Sequence, residues 1–257
     1  MLRSLLFLAL ASSIFAAQAT YIDSAKMDAA YPKHAVLLDH GQYRVMAIGR
    51  DKPGQSEIHY KDTDVVYFIS GTATLVTGGK LKDGKNTAPD EDRGNGIDGG
   101  EKRDLKAGDV VTIPNGTPHY FTNINAPCKY FLLKVRTNDN GKPSVLVPIS
   151  KGGSLAKGDG YVVSASHRDK DGIAEIHARD TDVMFFINGT ANLVTSGNVP
   201  GAKSTAPEES RGDAIKDGTS QAVKSGDVMV IPNTVPHQFL NVKGPLDYFV
   251  VKVKSAQ

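Results

Sequence analysis

With 257 residues, a formal net charge of +2 and acidic and basic side chains interspersed, the chain has no basic face of the kind that binds nucleic acid. Its 40% apolar content and 26 glycines exclude a disordered chain and suit a soluble, turn-rich one with a real core. A lone cysteine, Cys128, excludes an internal disulfide and reads as a small buried hydrophobe.

Residues 1–19 carry Arg3, an apolar run from Leu5 to Ala17 and the cleavage pattern Ala17-Gln18-Ala19, the layout of a secretory signal peptide. The run is shorter than the roughly 20 residues that span a bilayer. Cleavage before Thr20 and a secreted or periplasmic mature protein with no membrane anchor are therefore expected. Strand-like runs follow at Tyr43 to Ile48, Val65 to Ser70, Ala73 to Val76, Val110 to Ile113 and Tyr130 to Val135, separated by turn formers such as Gly71, Gly78-Gly79 and Pro114-Asn115-Gly116. They return at Tyr161 to Ala165, Val183 to Asn188, Ala191 to Val194, Val228 to Ile231 and Tyr248 to Val253. No amphipathic helix of twelve or more residues is predicted. Within each set lies a long polar insert, Lys80 to Lys106 and Asn198 to Lys224, carrying Thr-Ala-Pro and then Arg-Gly at Arg93 and Arg211. Loops of that length are commonly functional, and an ordered lid is expected.

His59 and His177, Asp64 and Asp182, Gly108 and Gly226, and His119 and His237 are each 118 residues apart, so one unit is duplicated without net insertion between these markers. Two domains are predicted, over 20–142 and 143–257, each an all-β sandwich or barrel. In a strand, residues i and i+2 share a face, so Glu57 and His59 point the same way, as do Glu175 and His177. A neighbouring strand can bring Asp64 or Asp182 alongside, and the strand after the Pro-Asn turn can bring His119 or His237. Two imidazoles and two carboxylates make a pocket for a divalent first-row metal ion: Mn, Fe, Zn, Ni or Cu.

At these residues the chain resembles the cupin superfamily and, being doubled, a bicupin. The motif G-x5-P-x-G-x2-H-x3-N is matched by Gly108, Pro114, Gly116, His119 and Asn123; in the second copy Gly226, Pro232, His237 and Asn241 match, with Thr234 in place of the inner glycine. The motif G-x5-H-x-H-x3,4-E-x6-G is matched with departures. Glu57 and Glu175 stand where its first histidine is expected, Asp64 and Asp182 where its glutamate is, and Asp51 and Asp169 where its opening glycine is; Gly71 and Gly189 close it. The resemblance implies two tandem double-stranded β-helix, jelly-roll-like barrels packed as an intrachain pseudo-dimer, with homo-oligomers a further option.

Two arrangements stay open at this point. All four donors of a copy could bind the ion and neutralise it. Alternatively His59, Asp64 and His119, and their counterparts, form a two-histidine, one-carboxylate set, leaving Glu57 and Glu175 as catalytic general bases. Arg93 and Arg211 are the expected substrate-binding residues, since arginine suits a carboxylate. The expected function is a mononuclear metalloenzyme acting on a small hydroxylated or carboxylated molecule, its reaction open among oxidation, decarboxylation or lysis, and isomerisation. The alternative is a non-enzymatic binding protein for a sugar or other small ligand.

Overall fold

The computed structural model describes residues 17–255; Arg3 and nearly all of the apolar run of the expected signal peptide lie outside the described residues. No helix among the described residues is long and apolar enough to cross a membrane. The architecture is two β-barrels in tandem.

In the first barrel the strands run in the order Val145–Pro148, Asp109–Ile113, Asp62–Thr77, His119–Arg136, Ser56–His59, Glu91–Gly94, Lys85–Ala88; Glu101–Lys106 adds to Asp62–Thr77, and Tyr43–Arg50 to His119–Arg136. The second sheet repeats this order with Thr20–Ile22, Val228–Ile231, Asp180–Thr195, His237–Lys254, Ala174–His177, Glu209–Gly212 and Lys203–Ala206. All pairings between these strands are antiparallel, as the turn-separated runs suggested.

The runs Val65 to Ser70 and Ala73 to Val76 are not two strands but one of 16 residues. Gly71 bends it instead of ending it. Its φ of +77° lies in the left-handed region, and a Cβ there would stand 2.7 Å from the Asn125 carbonyl. Opposite it, His119–Arg136 shifts register between Thr122 and Tyr130. The halves of the long strand thus enter different faces, Asp64 to Tyr67 pairing with Val110 to Ile113, and Thr72 to Thr77 with Glu101 to Lys106. This bend closes the sheet on itself.

Alternate side chains of the long strands go to two different cores. Val66, Phe68, Tyr130, Leu132 and Cys128 fill the first barrel. Val65, Tyr67, Phe131 and Leu133 face outward and meet Phe185, Phe249 and Val251 of the second barrel in one continuous cluster. Tyr67 lies 5.4 Å from Phe185 and Phe131 lies 6.1 Å from Phe249, ring centroid to centroid. The two barrels are therefore a pseudo-dimer joined by a hydrophobic interface that neither could leave exposed to water.

The arms cross between barrels. Thr20–Ile22 pairs with Val228–Ile231 of the second barrel, and Val145–Pro148 pairs with Asp109–Ile113 of the first. The registers correspond: Tyr21 opposes Met229, and Leu146 opposes Val111, whose repeat partner is Met229. The fully buried Asp227 pins the first arm, accepting from Tyr21 Oη at 2.9 Å and from Ser24 N at 2.7 Å.

Candidate metal centre

Strand pairing assembles the site. On Ser56–His59, Glu57 is flanked in register by His119 on one side and Arg93 on the other. Two strands away from Ser56–His59, Asp64 opposes Lys134. The second barrel repeats this with Glu175 between His237 and Arg211, and Asp182 opposite Lys252. His59, His119, Asp64 and their counterparts are all buried.

Glu57, His59 and His119 each place a donor atom within 4.8 Å of the others, as do Glu175, His177 and His237. In the first barrel, Glu57 Oε1 lies 3.8 Å from His59 Nε2 and 3.6 Å from His119 Nε2. Asp64 Oδ2 lies 3.7 and 3.5 Å from the same two nitrogens. These gaps are long for hydrogen bonds and slightly wider than a closed shell: with bonds of about 2.1 Å, neighbouring donors of a tetrahedral or octahedral shell stand about 3.0–3.5 Å apart, so a small inward movement of the donors would complete one. His119 Nε2 is buried with no hydrogen-bond partner. An orphaned imidazole nitrogen aimed among two carboxylates and a second imidazole is what a divalent first-row ion fits.

The other ring nitrogens are held from behind. His119 Nδ1 lies 2.9 Å from the Thr117 carbonyl, and His59 Nδ1 lies 3.4 Å from Glu91 Oε2. Both contacts suit an Nδ1–H, leaving Nε2 free as the donor atom. Glu91 is itself fixed by Arg93 Nε at 2.7 Å. The turn before His119 supports His59 too, since Gly116 N donates to the His59 carbonyl at 2.7 Å. Gly116 has φ +77°; in the second barrel Thr234 takes the same role at φ +67°, a strained conformation for a β-branched residue.

Charge in the metal-free pocket is concentrated. Burial opposes ionisation of Glu57, but His119 and His59 hold it well below the usual carboxylate range. Burial likewise opposes ionisation of Asp64, and Lys134 and His59 overcome it. His119, although burial disfavours its charge, is pushed up to about 9 by Asp64 and Glu57. His237 moves the other way: burial lowers it, and His177 adds to this against the pull of Asp182.

Of the eight metal-site residues expected from the sequence, Glu57, His59 and His119, and Glu175, His177 and His237, form two compact donor groups, with Asp64 and Asp182 beside the imidazoles of each. Arg93 and Arg211 arrive by a different route than expected. The inserts are ordered as strands, and each arginine lies beside its glutamate in a paired strand, with Arg93 Nη2 3.1 Å from Glu57 Oε2 and Arg211 Nη1 3.4 Å from Glu175 Oε1. Sequence reasoning missed Lys134 and Lys252, and Glu91 and Glu209. The lysines were detectable: they are 118 residues apart, and Lys134 shares the parity of the interior residues Tyr130 and Leu132. The glutamates recur two residues before each Arg-Gly.

A cupin family model matches residues 33–151 and again 157–257. A comparison with curated protein sequences found no match. Among solved structures, Lactobacillus farciminis oxalate decarboxylase in a formate complex aligns over 93% of this chain and 81% of its own, with 10% identity and a TM-score of 0.53. Streptomyces albus HEPD, with 2-hydroxyethylphosphonate and Fe(II) bound, aligns over 93% and 76%, with 8% identity and a TM-score of 0.58. Bacillus subtilis oxalate decarboxylase, studied for its Mn(II) centres, aligns over 93% and 73%, with 10% identity and a TM-score of 0.50. At these identities the likeness is one of fold.

Proposed function

Given that the chain belongs to the cupin family, with two cupin domains in tandem, we propose that it is an exported metalloenzyme acting on a small carboxylated molecule. The observation that carries this reading is the convergence of two imidazole nitrogens and two carboxylates in each barrel, with His119 Nε2 left unpartnered at the centre. Glu57, His59, Asp64 and His119 would hold one ion, and Glu175, His177, Asp182 and His237 a second. A bound divalent ion supplies a Lewis acid that polarises a carboxyl oxygen. Manganese and iron, the metals named for the structural neighbours, are the first to test.

Of the two arrangements left open by the sequence, we take Glu57 as a ligand, because one of its oxygens faces the imidazoles and the other faces Arg93. Two carboxylates neutralise a divalent ion and Glu91 offsets Arg93, so Lys134 on Asp64 then leaves the pocket cationic. That charge favours an anionic substrate, and a small carboxylate or dicarboxylate such as oxalate is the class we infer, with decarboxylation or lysis as the reaction. Arg93, 39% exposed at its side chain, is the residue placed to meet the substrate's second carboxylate. Export rests on Arg3, the apolar run to Ala17 and the Ala-Gln-Ala pattern.

The test is elemental analysis of untagged protein, followed by assay of chelated and Mn(II)- or Fe(II)-loaded samples against a panel of small mono- and dicarboxylates, following carbon dioxide release and ligand heat. Metal-dependent turnover is expected. Ligand heat with no turnover would instead identify a binding protein, and an absence of stoichiometric metal would refute the proposal.

A further inference from the structure

The two pockets differ in one lysine. In the first barrel Lys134 Nζ sits 2.7 Å from Asp64 Oδ1, and His119 Nε2 has no partner. In the second, Lys252 Nζ lies 2.8 Å from Asp182 Oδ1 and also 2.8 Å from His177 Nε2. An ammonium can only donate, so in this contact Nε2 accepts and carries the lone pair. An imidazole nitrogen has one lone pair, and the group that holds it excludes a metal from the same atom. Glu175 is also drawn back, its Oε2 3.9 and 4.0 Å from the two imidazole nitrogens, against 3.8 and 3.6 Å for Glu57 in the first barrel.

Lys252 has a way out. Its side chain is 33% exposed, whereas that of Lys134 is 10% exposed and enclosed. We propose that Lys252 is a displaceable internal cation that plugs the second centre, so that the chain takes one divalent ion tightly in the first barrel and a second weakly, once the ammonium has swung to solvent. A divalent ion and the ammonium cannot both take the single lone pair of His177 Nε2, so the lysine must leave that nitrogen before the ion can use it. The inference rests on the metal reading above.

The experiment is calorimetric titration of chelator-stripped full-length protein with Mn(II), and with Co(II) followed by its visible absorption. One tight equivalent is expected, with the second at least tenfold weaker. His59→Ala should abolish the tight event and His177→Ala only the weak one. Lys252→Met, or Lys252→Gln if the first variant folds poorly, should tighten the weak event at least tenfold and leave the tight one unchanged. Two equal equivalents, a tight event lost in His177→Ala, or a weak event indifferent to Lys252 would overturn the proposal while leaving the metal reading intact. No binding at all would overturn both.

Discussion

Replacing Lys134 by methionine removes a charge while nearly keeping the side chain's length, and it tests whether the first pocket is built for a cation. Lys134 and Asp64 are 10% and 7% exposed at their side chains, with Nζ 2.7 Å from Oδ1. Stripping one partner from so buried a pair leaves the other charge uncompensated, at a cost of about 3–5 kcal/mol. For a protein of this size each kcal/mol moves the melting temperature by about 2–4 °C, so the chelated variant should melt roughly 6–20 °C below wild type. Mn(II) at 100 times its dissociation constant stabilises the folded state by about 2.7 kcal/mol through mass action. In Lys134→Met the ion must also neutralise Asp64 and so binds more tightly, and at the same free Mn(II) concentration its stabilisation should exceed that seen in wild type. The assay is thermal unfolding by circular dichroism, chelated against Mn(II)-saturated. A chelated variant melting within about 2 °C of wild type, or one that Mn(II) stabilises no more than wild type, would refute the reasoning.

Thr234→Gly should stabilise the chain by about 1 kcal/mol by removing left-handed strain, less the entropy a glycine costs, while Gly116→Thr should destabilise it by about 1–2 kcal/mol through its φ of +77°, since the exposed Asn140 side chain nearest the new Cβ can move aside; chemical denaturation of both variants checks the pair. In the metal-free protein the depressed proton affinities of Asp64 and Asp182 contribute stability that is present above about pH 4 and lost as pH falls below it, whereas the raised affinity of His119 contributes stability that is complete below about pH 6.5 and lost as pH rises towards about 9. Stability should therefore peak between those limits, and an alkaline limb unchanged in His119→Gln would show that His119 is not responsible. Phe131→Ala, at a fully buried position between the barrels, should cost about 3–5 kcal/mol and loosen both barrels together, which tryptophan-free near-UV signals and hydrogen exchange can follow.

The repeat at 118 residues and the motif around His119 made the barrels and their candidate donor residues legible, because periodicity places Glu57 beside His59 and the Pro-Asn-Gly turn delivers His119. What stayed hidden depended on facts a strand pattern does not carry. Tyr67 and Phe131 look like ordinary strand hydrophobes, yet they face the partner barrel, because the strand is buried on both sides. Lys134 went unread inside the same run, although its parity with Tyr130 and Leu132 puts it inside. Gly71 signals a turn in isolation, and only the strand closing across it turns that signal into a bend. Arg93 was expected over the pocket from above; pairing of its strand with Ser56–His59 brings it in from the side.

The crossed arms join the two barrels by strand pairing as well as by the covalent link. If the chain were cut near residue 140, one fragment would still hold the other through Thr20–Ile22, and be held in return through Val145–Pro148. Two copies of a one-barrel chain could clasp each other by the same strands at the same register. Such a pair would be bound by its symmetry to carry identical pockets, and any change would appear twice. Fusion lifts that constraint: Thr234 against Gly116, and the posture of Lys252 against that of Lys134, are differences that only a chain with two separately encoded halves can keep.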